Sequence, residues 1–487
     1  MTERETGTHF GARTMITRRR FLAASSAIAL GGLLAACGGS SSATDTPKPA
    51  GGTSGTTAPA PTAAGASAAA GSTTATQAPA SASTGKPIKG TELTILWLPP
   101  SLQEEIDIQT KNMDDWASGS GVKLTKNTVS LDQLDAQLAT YAQTKQGVDL
   151  TNLYAQHVAT NENVMTDITG LANTLNTTLG GWYDGPKSVC IRANNQWKAL
   201  PAAIYGQYWV YRQDLFTQAG ITTWPATWED LHQAGKKLKA AGTPVGFPLG
   251  HAVTDGLTHA YSLMWDYGAK EFEADGKTIA LNSKEMLDCL TFFQTFYHDA
   301  CAENALAWDD SGNNNAYNSG QIAVTNNANT IYTGLLKTNA DLASKSTHGA
   351  TLAGPAGTFQ YMSMLYWGIP TYAKNPDAAR AYLTEGFYTK DFQTAWTKAG
   401  NGYNLPPFGL LETVDAAWPT DPKLALARTL GKTTRMAGSP GPYTSVVGAA
   451  DNKFIITDTF AKVAQGTSPK DAIAFAVNEY SLLLKGQ

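Results

Sequence analysis

Apolar and polar positions recur along the chain with periods near 2 and 3.6, and their succession sets the expected elements. Glu92-Leu93-Thr94-Ile95-Leu96-Trp97-Leu98 reads as a buried strand closed by Pro99-Pro100. Leu131, Leu134, Leu138 and Tyr141 share one face of a helix over 131–143, and 147–154 forms the next strand, leading into a polar loop. Strand, helix, strand in this order predicts an α/β fold with a parallel sheet and a site at the strand ends. Thr227 with Asp230 opens a helix over 228–241, with Trp228, Leu231, Ala234, Leu238 and Ala241 inward and Gly242 as its stop. Ser468-Pro469 with Asp471 opens the last helix, with Ile473, Val477, Tyr480 and Leu484 inward. Asn375-Pro376-Asp377 caps a third, running toward Thr389.

The N-terminal pattern is of another kind. Arg18-Arg19-Arg20-Phe21-Leu22 precedes an uncharged apolar stretch, Ala23 to Ala36, which ends in Leu34-Ala35-Ala36-Cys37. That stretch is shorter than the roughly 20 residues of a spanning helix and has the basic flank and small-residue end of an export signal. Residues 1–36 therefore read as a twin-arginine-like lipoprotein signal peptide, with Cys37 left as the lipid-bearing N-terminus. Residues 37–89 are nearly all Ala, Ser, Thr, Gly and Pro, a flexible tether with a root-mean-square reach of roughly 40 Å. Together they place the chain in the cell envelope, anchored to the membrane through lipid on Cys37 and facing outside the cytoplasm.

The 487 residues exceed what one hydrophobic core serves, so two domains are expected. Lys plus Arg total 36 against 40 for Asp plus Glu, without basic blocks, which argues against a nucleic-acid partner. Charged residues are only 16%, whereas there are 12 Trp and 19 Tyr, which favours an uncharged, ring-bearing ligand. No P-loop, Gly-x-Ser-x-Gly elbow or GxGxxG loop occurs. His251, Asp255 and His259 could face a metal if helical, but 253–256 reads as a loop, and Asp309 to Asn313 lacks the spacing of an EF-hand. No cofactor and no metal are expected. Cys190, Cys289 and Cys301 read as buried free thiols, because the last two lie toward opposite ends of one expected helix, about 18 Å apart.

Longer motifs carry a resemblance. Leu200-Pro201-Ala202-Ala203, then Gln207 to Ile221 with its Tyr211-Arg212-Gln213-Asp214-Leu215-Phe216 core, then Pro225-Ala226-Thr227-Trp228-Glu229-Asp230-Leu231 resemble one signature of the family 1 extracellular solute-binding proteins of ABC transporters, the maltodextrin-binding type. Asn318 to Val324, Ala373 to Leu383 and Gly466 to Ala472 are similar to further blocks of that family, in the same order. The resemblance implies a two-lobed periplasmic-binding-protein-like fold with a hinge between lobes and a central ligand cleft. Mapping the blocks gives lobe 1 as 90–203 plus 361–405 and lobe 2 as 204–360 plus 406–487. It further implies a monomer that binds a mono- or oligosaccharide, undergoes closure and delivers it to permease subunits, without being an enzyme. The alternatives are an exported carbohydrate-active hydrolase, a binder of a non-sugar solute, and a sensor.

A sugar offers apolar C–H faces and a rim of hydroxyls, so its site wants aromatic planes and amide or carboxylate groups. Candidate aromatics are Trp97, Tyr154, Trp182, Tyr205, Tyr208, Tyr366 and Trp367, with Trp97, Trp182, Tyr205 and Trp367 preferred. Candidate polar residues are Gln156 and His157, Asp255, Asp309 and Asp310, Asn404, and Asn326, Asn327 and Asn329 after a strand over 322–325. The chain departs from the family's pattern here, lacking the family's Gly-x-Trp after this strand.

Overall fold

The computed structural model describes residues 88–486 except Val253, so the signal, Cys37 and nearly all of the tether lie outside the described residues. Two sheets organise this body. Their strands are β1 (Glu92–Trp97), β2 (Lys123–Thr128), β3 (Leu150–Tyr154), β4 (Leu200–Tyr205), β5 (Gln207–Arg212), β6 (Val324–Ala328), β7 (Ser346–Gly349), β8 (Met364–Gly368) and β9 (Asn404–Leu405). The larger sheet has the order β9-β4-β8-β3-β1-β2 and the smaller β6-β5-β7. β1 runs parallel to β2 and β3, β8 antiparallel to β3 and β4, and β5 antiparallel to both of its neighbours.

Every residue of β3, β4 and β8 is buried, as expected of strands covered on both faces. The helices Gln103–Ser120 and Lys390–Gly400 pack together beside the larger sheet. Beside the smaller sheet the helices Asp255–Asp266 and Trp228–Ala240 pack against Lys284–Ala300, which the two terminal helices, Ile455–Ala464 and Pro469–Lys485, also cover. The capping box is present: Asp230 N donates to Thr227 Oγ1 at 3.0 Å and Thr227 N to Asp230 Oδ2 at 3.2 Å. Such a cap stabilises a helix by about 1 kcal/mol.

The chain passes between the sheets at Gly206, the single residue joining β4 to β5. A Cβ there would lie 2.9 Å from the Gly402 carbonyl, so only glycine lets the two crossing segments approach so closely. Tyr208 Oη donates to that same carbonyl at 2.7 Å, and Asn329 Nδ2 donates to the Asn401 carbonyl at 2.6 Å, tying the smaller sheet to the turn before β9.

Some sequence expectations need correction. Ala241 is exposed, because the helix ends at Ala240 and the chain turns away at Gly242. Residues 255 and 256 are helical and not loop, since the Asp255–Asp266 helix begins there with its end capped by Asp310. His251 is outside that helix and pairs with Asp458. β6 continues through Asn326 and Asn327, which therefore point to opposite faces. The helix after Asn375 loosens into a π-type turn over Tyr382–Phe387. The three described cysteines are free and buried, as expected. Among the described residues no helix is long and apolar enough to cross a membrane, and no group of three or more His, Cys, Asp or Glu is placed to hold a metal.

Candidate functional site

A cavity of about 420 Å³ lies where the ends of both sheets meet. From the larger sheet come Ser101 and Leu102 after β1, Tyr154 at the end of β3, Tyr205 at the end of β4 and Tyr403 just before β9. From the other side come Gln207 at the start of β5, Asn327 and Ala328 at the end of β6, and Thr254, Asp255, Asp310, Asn314 and Thr330 around it. Strand ends supply these side chains because backbone pairing stops there, leaving the last residues to face the space between the layers.

Tyr154, Tyr205 and Tyr403 form an aromatic wall, with centroids 6.1 Å apart for the first pair and 5.2 Å for the second, the rings tilted by 34° and 38°. Tyr403 Oη lies 2.9 Å from Ser101 Oγ. Burial raises the pKa of all three phenols, that of Tyr154 to about 12, so they stay protonated and can donate.

The facing wall is polar. Asp255 Oδ2 accepts from Asn327 Nδ2 at 2.6 Å and from Asn313 Nδ2 at 3.0 Å. Asn327 Nδ2 also donates to Asn314 Oδ1 at 2.7 Å. Asp310 Oδ1 accepts from Asp255 N at 2.9 Å, Thr254 N at 3.1 Å and Thr254 Oγ1 at 2.8 Å, so its charge sits at the positive end of the Asp255–Asp266 helix. Burial first, and then the Asp310 charge, push the Asp255 carboxyl up to about 7, against hydrogen bonds from Asn313, Gln207 and Thr254. His259, one turn further, is pushed down to about 3 by burial and stays neutral.

Of the candidate residues, Tyr154, Tyr205 and Asp255 line this cavity, as do Asp310 and Asn327. The others lie elsewhere. Trp97 ends β1 with its ring buried. Trp182 packs against Trp197, Tyr388 and Phe408 and donates its indole N–H to the Ala172 carbonyl. Tyr366 and Trp367 are fully buried in β8, the second edge-on to Phe387. Trp97 and Trp367 are core because the larger sheet is covered on both faces, and Trp182 because other rings enclose it. Tyr208 serves the strand crossing, Asn329 ties that crossing to Asn401, and Gln156 lies against Gly448. His157 accepts from Tyr154 N through Nδ1 and pairs with Asp135 through Nε2, a capping role. Asp309 turns outward and caps Ser311. Asn326 faces the other side of β6, into a small void beside Trp209 and Trp228. Asn404 is buried beside Glu105.

Sequence reasoning had not singled out Ser101, Leu102, Gln207, Thr254, Asn314, Ala328, Thr330 and Tyr403 as site residues. Gln207 was legible in principle, two residues from Tyr205 across the glycine. The remainder are brought in by loop paths that no local pattern encodes.

A pocket between two sheets, walled by aromatic rings on one side and amides with carboxylates on the other, fits a two-lobed binding protein of the periplasmic type. This chain belongs to the family of bacterial extracellular solute-binding proteins, whose family model matches residues 103–387. Binding proteins of Brucella abortus and Brucella suis are 30% identical over 105 residues, which is 21% of this chain and 25% of theirs. The chain thus aligns with a quarter of the length of those curated relatives. Among solved structures, maltose-bound MalE3 of T. maritima superposes with TM-score 0.66 at 15% identity, covering 81% of this chain and 100% of that one. The GacH receptor of Streptomyces glaucescens, solved unliganded and with acarbose, gives TM-score 0.66 at 17% identity over 81% and 98%. The cyclic alpha-maltosyl-1,6-maltose binding protein of Arthrobacter globiformis gives 0.64 at 18% over 81% and 99%.

Proposed function

We propose that this protein is the extracytoplasmic substrate-binding lipoprotein of an ABC importer, that it captures a carbohydrate, and that it leaves the ligand covalently unchanged. The observation that carries this reading is the cavity itself: three tyrosine rings on one lobe opposite Gln207, Asn314 and Asn327 on the other. Rings suit the C–H faces of a sugar and the amides its hydroxyls, and the size falls in the usual range for small-molecule sites. The sugar-bound structural relatives support the same class.

The mechanism follows from ligand contacts shared between lobes. Sugar resting on Tyr154, Tyr205 and Tyr403 gains the amide wall only when the lobes approach, so the closed state is favoured by the ligand's differential affinity. Rotation at Gly206 and at the turn before β9 brings the walls together. Permease subunits then recognise the closed form and reopen it. In this proposal the lobes of a monomer, expected from the sequence at 90–203 plus 361–405 and 204–360 plus 406–487, divide instead at Gly206, since β4 carries residues 204 and 205 in the larger sheet, while lipid on Cys37 and the tether keep the protein near the permease.

A thermal-shift screen against sugars, polyols, amino acids and peptides tests the class, since a ligand adds RT ln(1 + [L]/Kd) to stability. Saccharides are expected to raise the midpoint and to be recovered unaltered. A rise with peptides or amino acids alone would overturn the carbohydrate reading, and hydrolysed saccharide would make the protein an enzyme.

A further inference from the structure

We propose that Glu271 and Asp451, buried away from the cavity, share one proton, and that this proton latches the segment 436–443 in place, a latch that loosens as the pH rises past neutral. Hydrogen-bond accounting carries it. Tyr261 Oη lies 2.8 Å from Glu271 Oε1 and 2.7 Å from Asp451 Oδ1. A phenol has one hydrogen to give, so one of these two contacts needs a proton from a carboxyl. Both Glu271 oxygens already accept, Oε1 from Tyr480 Oη and Oε2 from Gly438 N. Asp451 Oδ2 accepts from Tyr443 Oη at 2.6 Å. Asp451 Oδ1 is the oxygen left to carry the proton and donate it to Tyr261.

No cation among the described residues bonds either carboxyl: the partners are three phenols and one backbone N–H. Tyr361, stacked on Tyr261 with centroids 5.2 Å apart, brings no charge. The cations of the flanking segments are engaged elsewhere. Arg192 bonds Glu162 and the Tyr443 carbonyl, Arg435 lies over the Phe359 and Trp265 rings, and Lys270 pairs with Glu273. On the helices packed against that of Asp451, His157 pairs with Asp135 and Lys462 lies over Phe475. Burial, followed for Asp451 by the Glu271 charge, pushes both carboxyls up, Asp451 to about 7. The segment 436–443 depends on both members, through Gly438 N and Tyr443 Oη, and the Tyr443 carbonyl also holds Arg192, ahead of β4. Once the proton leaves for solvent, Tyr261 has one hydrogen for two carboxylates, and the two anchors sit on groups that repel. The folded value lies above the unfolded 3.8, so the latch is complete below that and is lost as the pH rises through about 7.

The test is hydrogen exchange, read by mass spectrometry on the mature protein at about pH 5.5 and about pH 8.5 and corrected for the intrinsic rate. Exchange in 436–443 is expected to rise about tenfold or more across that range in the wild type, while the Lys284–Ala300 helix stays protected. Asp451→Asn puts an amide donor where the carboxyl proton lies and keeps an oxygen for Tyr443, so in that variant the rise should shrink to within about twofold. No rise in the wild type, an equal rise in the Lys284–Ala300 helix, or an undiminished rise in the variant would each overturn the latch. Carbon-13 shifts of labelled carboxyls in the wild type need no variant. They should show one protonated carboxyl in the pair at about pH 5.5, and two carboxylates there would overturn the shared proton.

Discussion

At the scale of single residues, the chain separates ring contacts from ring packing more sharply than its composition suggests. Trp367 is buried to the last atom among Tyr382 and Phe387, whereas Tyr205 faces the cavity. Trp367→Ala is therefore expected to lower stability by about 3–5 kcal/mol. Chemical denaturation reads that loss, with ligand affinity of the folded fraction little changed. Glu105 offers a second residue-scale prediction. Its carboxyl is fully buried in the first turn of the Gln103–Ser120 helix, neither oxygen has a hydrogen-bond partner of normal geometry, and burial pushes it up to about 8, only partly offset by neighbouring Asn404. In the unfolded chain this group ionises near 4.5. A folded value above the unfolded one means its contribution is most favourable below about 4.5 and is lost as pH rises to about 8. Glu105→Gln should thus match the wild type in melting temperature near pH 4 and exceed it by a few degrees at pH 8. Equal midpoints at both pH values would contradict the burial account. Tyr154 and Tyr205, by contrast, were readable from sequence as strand-end aromatics, whereas Tyr403 was not; the tryptophans misled because size and flatness serve a core as well as a sugar.

At the scale of elements, the proposed hinge rests on close backbone contact at Gly206. Gly206→Val would drive a side chain into the Gly402 carbonyl and the Tyr208 hydroxyl, forcing the crossings apart. The expected result is a larger radius of gyration by X-ray scattering in saturating ligand, together with weaker binding. Closure unaffected by this change would show that the hinge lies elsewhere. The pair Lys337–Glu104 joins the Thr330–Thr338 helix to the Gln103–Ser120 helix with both partners well exposed. Glu104→Gln is accordingly expected to shift ligand affinity by less than about 1 kcal/mol. Element boundaries were largely legible from caps and periodicity: β1, the helix capped by Thr227 and the terminal helix opening at Pro469 stand where their patterns placed them. The failures have physical causes. The Asp255–Asp266 helix begins on a cap from Asp310, 55 residues away, which no local pattern contains. β6 includes two asparagines expected to follow the strand, and the amide of the second, Asn327, is held there by Asp255 and Asn314.

At the scale of the whole molecule, two sheets joined at a short crossing meet around the cavity, and under the proposed function relative motion of the layers would change its shape and couple recognition to closure. The motif order along the chain foretold this architecture, because the family signatures sit at strand entries and helix starts that fix topology. It could not foretell the lining of the cavity, which depends on the loops between them. The most direct test of the central claim is a titration of the tightest-binding saccharide into the wild-type protein and into Tyr205→Ala, with folding of both confirmed. The account expects saturable one-to-one binding by the wild type and a loss of about tenfold or more in the variant, given what a stacked aromatic contributes. Equal affinity in the two proteins would place the ligand outside this cavity and contradict the account.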